Sequence, residues 1–321
     1  MKNLAVVGFG DIAEKEHLPA IQSSQDFQLV GVVETNPIRA RRAHELTGAP
    51  VFESIAHVAS LTDAVIIATP PNVTPELITQ SVQSNLHVLC EKPISSNLDA
   101  AMRMNSLVNS RKNHIQVGFV NRFSPHIVKA KELIAGGELG FPLAISMGAY
   151  DEKLNSDDVD HLSRIINFLS HGSAFSHEGV HLLDYLNFFG FSTPQDVTAR
   201  GMTSDKRFPS SNFVNVSLTF ENGSIANLEV GWLLPHLPMG FIRISGPKGR
   251  IEIIRRRGTM AIELLERQEN LELSSPWNEL AFAGQLSAFS KNIEGFAWQG
   301  ATLEEGLWNM RLSSDIEAIL Q

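Results

Sequence analysis

The sequence predicts an α/β protein: a doubly wound parallel sheet, then a second α/β domain on a large, mostly antiparallel open sheet. Three observations carry this. Over the first 120 residues, short apolar runs alternate with helix-patterned segments, and a glycine-rich turn joins the first run to the first helix. Beyond residue 120, strand-like segments crowd together with hairpin turns between them. The domains are expected at residues 1–120 and 121–321, since a domain commonly takes about 100–200 residues.

Leu4-Ala5-Val6-Val7 is apolar without polar alternation, as a strand buried on both faces requires. Asp11 to Ile21 follows as a helix. Leu29 to Val33 is a second buried run, and Pro37 opens the next helix, where a missing N–H is tolerated. Val51-Phe52 is a weak third strand and Asp63 to Ala68 a strong fourth. Pro75 to Ser84 reads as a helix, His87 to Leu89 as a strand, Asn97 to Val108 as a helix and Ile115 to Phe119 as a strand. Repeated βα units of this length imply right-handed crossovers.

After residue 120, strands are expected at Leu143 to Ala149, Asp196 to Gly201, Phe213 to Phe220, Ser224 to Gly231, Phe241 to Ser245, Arg250 to Ile254 and Met260 to Leu265. Asn222-Gly223 supplies the positive φ of a tight hairpin turn, and Gly246-Pro247-Lys248-Gly249 is a second turn. Helices are expected at Pro125 to Ala135, Glu178 to Phe189, Leu280 to Glu294 and Thr302 to Leu320. The polar stretch Asn155 to Asp160 reads as a loop.

Composition narrows the class. An apolar fraction of 43% and a charged fraction of 19% fit a globular protein with ample core. A net charge of -9 without a Lys/Arg stripe argues against nucleic acid as a partner. Arg255-Arg256-Arg257 reads as a solvated strand end. The single cysteine, Cys90, cannot form an internal disulfide, so no oxidising compartment is needed. The N-terminal residues read as strand and turn rather than signal peptide. No stretch reaches the ~18 apolar residues of a membrane span. A soluble, cytoplasmic protein with no membrane partner is expected.

Gly8-Phe9-Gly10-Asp11-Ile12-Ala13 matches the G-x-G-x-x-A fingerprint in its required context, after a strand and opening a helix. The first glycine permits the tight turn, the second lets a pyrophosphate approach the backbone, and Ala13 permits close helix packing. The helix N-terminus supplies N–H donors to the phosphates. Glu34, directly after the second strand, stands where a carboxylate accepts hydrogen bonds from the adenosine ribose 2′-OH. The first domain is therefore read as a Rossmann domain. Gly8, Gly10, Asp11, Ile12, Glu34 and Thr35 are candidate cofactor contacts. Arg39, Arg41 and Arg42 suit an exposed helix face but could also grip a 2′-phosphate. Arg39 is counted as a contact; NAD is favoured and NADP stays open.

Further strings occur in a set order: Ala68-Thr69-Pro70-Pro71-Asn72, then Glu91-Lys92-Pro93, Asn121-Arg122-Phe123-Ser124-Pro125, and Glu178-Gly179-Val180-His181-Leu182-Leu183-Asp184. With the glycine loop, this set resembles the Gfo/Idh/MocA oxidoreductases, the family of glucose-fructose oxidoreductase and inositol dehydrogenase, over essentially the whole chain. The resemblance implies hydride transfer between NAD(P) and a secondary alcohol of a sugar, cyclitol or related polyol. It implies cofactor contacts from Thr69, Pro70, Asn72, Glu91 and Lys92, and a cis bond between Lys92 and Pro93. It gives Lys92 a reach to the substrate oxygen and His181 the acid/base role, with Asp184 closing the motif. Arg122 and His177 join Lys92 and His181 as substrate-contact candidates, and His177 and Asp184 join them as catalytic candidates. A homodimer or homotetramer through the C-terminal sheet is implied as well.

The residue types suit that chemistry. Taking hydride from a carbinol carbon requires loss of the hydroxyl proton, which an imidazole can accept near neutral pH. A nearby ammonium stabilises the developing alkoxide. His177, His181 and Asp184 lie at i, i+4 and i+7, on one face of a regular helix, with Val180, Leu183 and Leu186 on the other.

The chain departs from the family in two places: His177 stands where aspartate is usual, and Thr74 where histidine is frequent. His177-Glu178-Gly179-Val180-His181 also spells H-E-x-x-H, but without the confirming context of a zinc peptidase. No metal is assigned; a metal-assisted oxidoreductase using His177 and His181, with His161 and His171 as further candidates, is the lesser alternative. Two other activities compete: an NAD-dependent glycoside hydrolase, and a non-catalytic NAD- and sugar-sensing binder.

Overall fold

The computed structural model describes every residue except Ser156, Ser192, Arg255, Arg256 and 273–276, and the side chain of Trp277. The chain divides into two compact units. Met1–Ser124 clusters with Ser275–Trp308, and Pro125–Ser274 with Asn309–Gln321. Residues 275–308, which a single division at residue 120 assigns to the second domain, fall in the first unit.

In the first unit, β1 (Lys2–Val7), β2 (Phe27–Val33), β3 (Val51–Phe52), β4 (Ala64–Ile67), β5 (His87–Cys90) and β6 (Ile115–Val117) pair in parallel. β15 (Ala301–Thr302) adds an antiparallel edge, and the sheet order is β15-β6-β5-β4-β1-β2-β3. The chain winds outward from β1 in one direction and from β4 in the other. The carboxyl ends of β1 and β4 therefore flank a topological switch point, where open α/β sheets bind ligands. Every residue of β4 is fully buried, which explains its unbroken apolar run.

A π-helical turn at Ala13–His17 precedes α1 (Leu18–Ser23), a local irregularity inside the single helix expected there. α2 (Pro37–Thr47) starts at Asn36, whose side chain accepts from the N–H groups of Ile38 and Arg39. α3 (Ile55–Val58) was not anticipated; α4 (Thr74–Gln83) and α5 (Leu98–Val108) were. A 3₁₀ turn, Val120–Phe123, ends the first pass.

The long helix α9 (Trp277–Ile293) completes this unit's core. Its Ala281, Phe282, Leu286 and Phe289 join Leu4, Val6, Phe27 and Ile66 in one buried cluster, and Phe289 stacks on Phe27 with centroids 5.8 Å apart.

The second unit holds α6 (Pro125–Ala135), β7 (Ala144–Tyr150), α7 (Val159–Leu169), a π-helical turn at Phe175–Gly179 and α8 (Val180–Phe188). Its strands continue as β8 (Asp196–Met202), β9 (Phe213–Thr219), β10 (Ile225–Gly231), β11 (Phe241–Gly246), β12 (Gly249–Ile254), β13 (Thr259–Leu264) and β14 (Gln268–Glu272). The sheet order is β14-β13-β12-β11-β7-β10-β9-β8, antiparallel except for β7 with β10. α10 (Leu303–Leu320) closes the chain.

The loop reading of Asn155 to Asp160 holds at Asn155, Asp157 and Asp158 and fails only at Val159 and Asp160, which begin α7. The helix begins at Val159, capped by the Asp158 side chain accepting from the His161 N–H, and buries Leu162, Ile165 and Leu169. Ser156 of that stretch lies outside the described residues, as do Arg255 and Arg256 of the basic run. Both expected hairpin turns form, with Gly223 at φ +80 and Gly246 paired to Gly249.

Period-2 alternation decides the faces of the second sheet. Ile242, Ile244, Ile251, Ile253, Met260 and Ile262 are buried, while Arg243 and Arg250 between them are exposed. On the exposed face Arg243 pairs with Glu252 at 2.5 Å and Arg250 with Glu263 at 2.6 Å. Among the described residues, no helix is long and apolar enough to cross a membrane.

Candidate active site

The glycine loop lies at the switch point of the first unit. Gly8 has φ +85, and its N–H donates to the carbonyl of Val33 at 2.8 Å. A Cβ at Gly8 would come within 2.7 Å of the Ala68 carbonyl oxygen and of Thr69 Cγ2. Glycine is thus required both by backbone conformation and by the approach of the β4 turn. A Cβ at Gly10 would meet nothing within 4 Å, so that side of the loop is open to a ligand.

Glu34, at the end of β2, is buried, and its carboxylate accepts four hydrogen bonds. Oε2 receives the N–H of Phe9 at 2.9 Å and Arg39 Nε at 3.0 Å; Oε1 receives the N–H of Asn36 at 2.8 Å and an Arg39 terminal nitrogen at 3.3 Å. Burial pushes its carboxyl up, but the hydrogen bonds from Arg39, Asn36 and Phe9 outweigh that and hold it below the usual value. Of the neighbouring arginines, Arg42 pairs with Glu14 at 2.7 Å, and Arg41 is exposed.

A cavity of about 470 Å³ opens here. Gly8, Gly10, Glu34, Thr35, Arg39, Thr69 and Pro70, all cofactor-contact candidates, line it. Glu53, Ser54, Glu76, Leu77 and Gln80 line it too. Sequence reading missed these because a short strand and the exposed side of a helix carry no motif. Asp11, Ile12, Asn72, Glu91 and Lys92 are not on its lining. Asp11 is exposed and pairs with Lys15 at 2.9 Å. Thr74, in place of the family's frequent histidine, is buried, and its hydroxyl donates to the Pro70 carbonyl at 3.2 Å.

Glu91 and Lys92 follow β5, and the Lys92–Pro93 peptide is cis. Glu91 Oε1 lies 2.8 Å from His17 Nε2, and Oε2 accepts the Lys92 N–H at 3.2 Å. The Arg122 side chain is 3% exposed and bonds to Glu305 at 2.8 Å and to the Gly300 carbonyl at 3.3 Å.

In the second unit, the irregular turn before α8 breaks the uniform helix on which the face of His177, His181 and Asp184 was drawn. π-turns of this kind recur at functional sites. His181 is half-buried and Asp184 buried. Asn309 donates to the carbonyl of Val180 at 2.7 Å and steadies the start of α8. His177 Nε2 bonds to the carbonyl of Phe168 at 3.0 Å, and its ring stacks on Trp232, centroids 5.3 Å apart. His171 is exposed, with Nδ1 on the Asn167 carbonyl at 2.8 Å. His161 Nε2 lies 3.2 Å from Glu152 Oε2 on an open polar hollow of about 620 Å³. Burial, then the neighbouring Asp151, pushes the Glu152 carboxyl up. Among the described residues, no group of three or more His, Cys, Asp or Glu could hold a metal ion.

A doubly wound parallel sheet with a glycine loop at its switch point, followed by a second unit on a large open sheet, marks the class of dinucleotide-binding Rossmann proteins. Residues 2–119 match the model of the oxidoreductase family with an NAD-binding Rossmann fold, and residues 127–252 that of the GFO/IDH/MocA C-terminal domain. The chain belongs to the GFO/IDH/MocA oxidoreductase family. It is 25% identical over 314 residues to inositol 2-dehydrogenase of Rhizobium meliloti, covering 94% of this chain and 88% of that one. It is 28% identical over 171 residues to the uncharacterized oxidoreductase YrbE of Bacillus subtilis. That match covers 52% of this chain and about half, 48%, of YrbE. The solved myo-inositol dehydrogenase of Corynebacterium glutamicum superposes with a TM-score of 0.84 at 21% identity, covering 100% of this chain and 97% of that one.

Proposed function

We propose that the protein is an NAD-dependent dehydrogenase that transfers hydride between the cofactor and a secondary alcohol of a sugar, cyclitol or related polyol. The observation that carries this is the buried Glu34 carboxylate, on the lining of a cavity that begins at the glycine loop. A carboxylate there accepts ribose hydroxyls and repels a 2′-phosphate. Glu53 and Glu76 add negative charge to the same lining, while Arg39 is tied to Glu34. The carboxylates favour NAD over NADP, and the pairing leaves the Arg39 charge partly offset.

Gly8, Gly10 and Glu34 hold the dinucleotide in this reading, and the open approach at Gly10 fits a pyrophosphate. Bound there, the nicotinamide supplies the hydride acceptor or donor. The chain's own residues handle the proton and the charge. His181 takes the hydroxyl proton during oxidation and returns it during reduction. The Lys92 ammonium stabilises the alkoxide, and Asp184 supports the helix that carries His181. Arg122 enters as a tie to Glu305 and Gly300, and His177 as a packed ring beside Trp232. The open face of the eight-stranded sheet is the surface we assign to a homodimer or homotetramer. With one buried cysteine, the enzyme suits a reducing cytoplasm.

The test is a panel of inositols, sugars and sugar phosphates with NAD, followed at the absorbance band of the reduced nicotinamide. Net NADH formation is expected. Turnover of a glycoside without net NADH would instead make the enzyme a glycoside hydrolase, and binding without turnover would make it a sensor. Light scattering on the eluting protein reads the oligomer.

A further inference from the structure

We propose that His17 is a positioning residue that fixes the Glu91 carboxylate and, through it, the backbone of Lys92. The proposal rests on the role given to Lys92 above.

The two oxygens of Glu91 are divided between two tasks. Oε1 meets His17 Nε2 at 2.8 Å, and Oε2 accepts the N–H of Lys92 at 3.2 Å. The imidazole is 3% exposed and the carboxylate 13%, so water competes poorly for either. A buried carboxylate needs such a partner, since an unpaired one is costly.

Both residues are held from behind. His17 ends the π-helical turn that follows the glycine loop, and its ring stands edge-on to Phe282 of α9, centroids 5.1 Å apart. Glu91 lies against Gly118, just past β6. A Cβ at Gly118 would fall 3.0 Å from Glu91 Cα and 3.1 Å from its Cδ. The missing side chain leaves the carboxylate room to turn back toward His17. The result is a continuous path from the helix that opens at the dinucleotide loop to the backbone of the substrate-side lysine. Neither His17 nor Gly118 carries a motif that marks such a role.

Two variants separate bonding from packing. His17→Phe keeps a ring against Phe282 but cannot bond to Glu91. His17→Gln keeps a donor near the Nε2 position and gives up the ring. Three quantities are read in each: exchange protection of the Lys92 amide by NMR, NAD affinity by titration, and kcat against KM for the alcohol that the panel identifies. In His17→Phe the Lys92 amide should lose protection. Its kcat should fall about tenfold or more, as misplacement of a reacting group predicts, while NAD affinity stays within about twofold. His17→Gln should recover most of both losses. Full Lys92 protection and full kcat in His17→Phe would overturn the proposal, and so would a His17→Gln no better than His17→Phe. If the wild-type protein oxidises no alcohol, the dehydrogenase reading fails, and the amide exchange still decides whether His17 holds the Lys92 backbone.

Discussion

Two residues carry the proposed choice of cofactor and the proposed proton transfer. Glu34 binds its own loop through Phe9 and Asn36 and also faces the cavity. Glu34→Ala should therefore weaken NAD about tenfold or more, the worth of hydrogen bonds to a charged group, and erase any preference over NADP. Paired titrations of both dinucleotides check this; unchanged selectivity would move the choice to Glu53 and Glu76. His181→Ala should lower kcat roughly 10²–10⁴-fold if it is the proton carrier, with NAD affinity nearly unchanged. Lys92→Ala should also lower kcat. Near wild-type turnover in His181→Ala would remove that assignment.

At this scale the glycine loop and Glu34 were legible because spacing and strand context dictate them. The His17–Glu91 contact was not, because 74 residues separate the partners. The surroundings of His177 were hidden for the same reason. Its carbonyl partner is nearby in sequence, but Trp232 is brought to it only by the sheet.

At the scale of elements, strands and most helices could be read from their periodicity. The short or polar misses were α3, β14 and β15. α7 is neither: Leu162, Ile165, Ile166 and Leu169 follow the i, i+3, i+4, i+7 spacing of an amphipathic helix, which the polar stretch before it overshadowed. Both π-turns escaped because one extra residue per turn leaves no compositional trace. One junction between elements makes a pH prediction. The N–H of His114, just before β6, donates to Nδ1 of His87 at the start of β5 at 3.1 Å, and the rings stack with centroids 5.1 Å apart. Burial lowers both imidazoles from the usual 6.5, and for His87 the neighbouring His114 adds to it. The unfolded chain therefore takes up protons first as pH falls. Their contribution to stability is complete above about pH 6.5 and is lost as pH drops through the lower folded values. The drop in Tm between pH 8 and pH 5.5 should be smaller in a His87→Phe/His114→Phe variant than in the wild type. Equal drops would show that other groups set the acid sensitivity.

For the whole molecule, the sequence correctly separated a parallel from an antiparallel half, but it could not say where α9 belongs. An amphipathic pattern shows that a helix buries one side, not which partner it buries it against. The answer here is the core around Phe27, more than 200 residues earlier. A fragment of residues 1–124 should therefore expose that core, bind a hydrophobic dye and melt without cooperativity. The same fragment joined by a flexible linker to residues 275–308 should melt cooperatively and rise in Tm with NAD. If residues 1–124 alone fold as stably, α9 is an accessory rather than part of the core.

That closure also has a consequence for how the protein is made. Domains usually mature in the order in which they leave the ribosome. The parallel strands of the cofactor domain are translated before the second unit's sheet, yet Phe282, Leu286 and Phe289 emerge only after it. At about 5–20 residues per second, those strands wait on the order of ten to thirty seconds for the helix that seals them. The later unit, apart from its closing helix, is complete before the earlier one can finish. Nascent chains stalled before residue 277 should recruit chaperones at the exposed faces of Leu4, Phe27 and Ile66, and those stalled after α9 has emerged should release them.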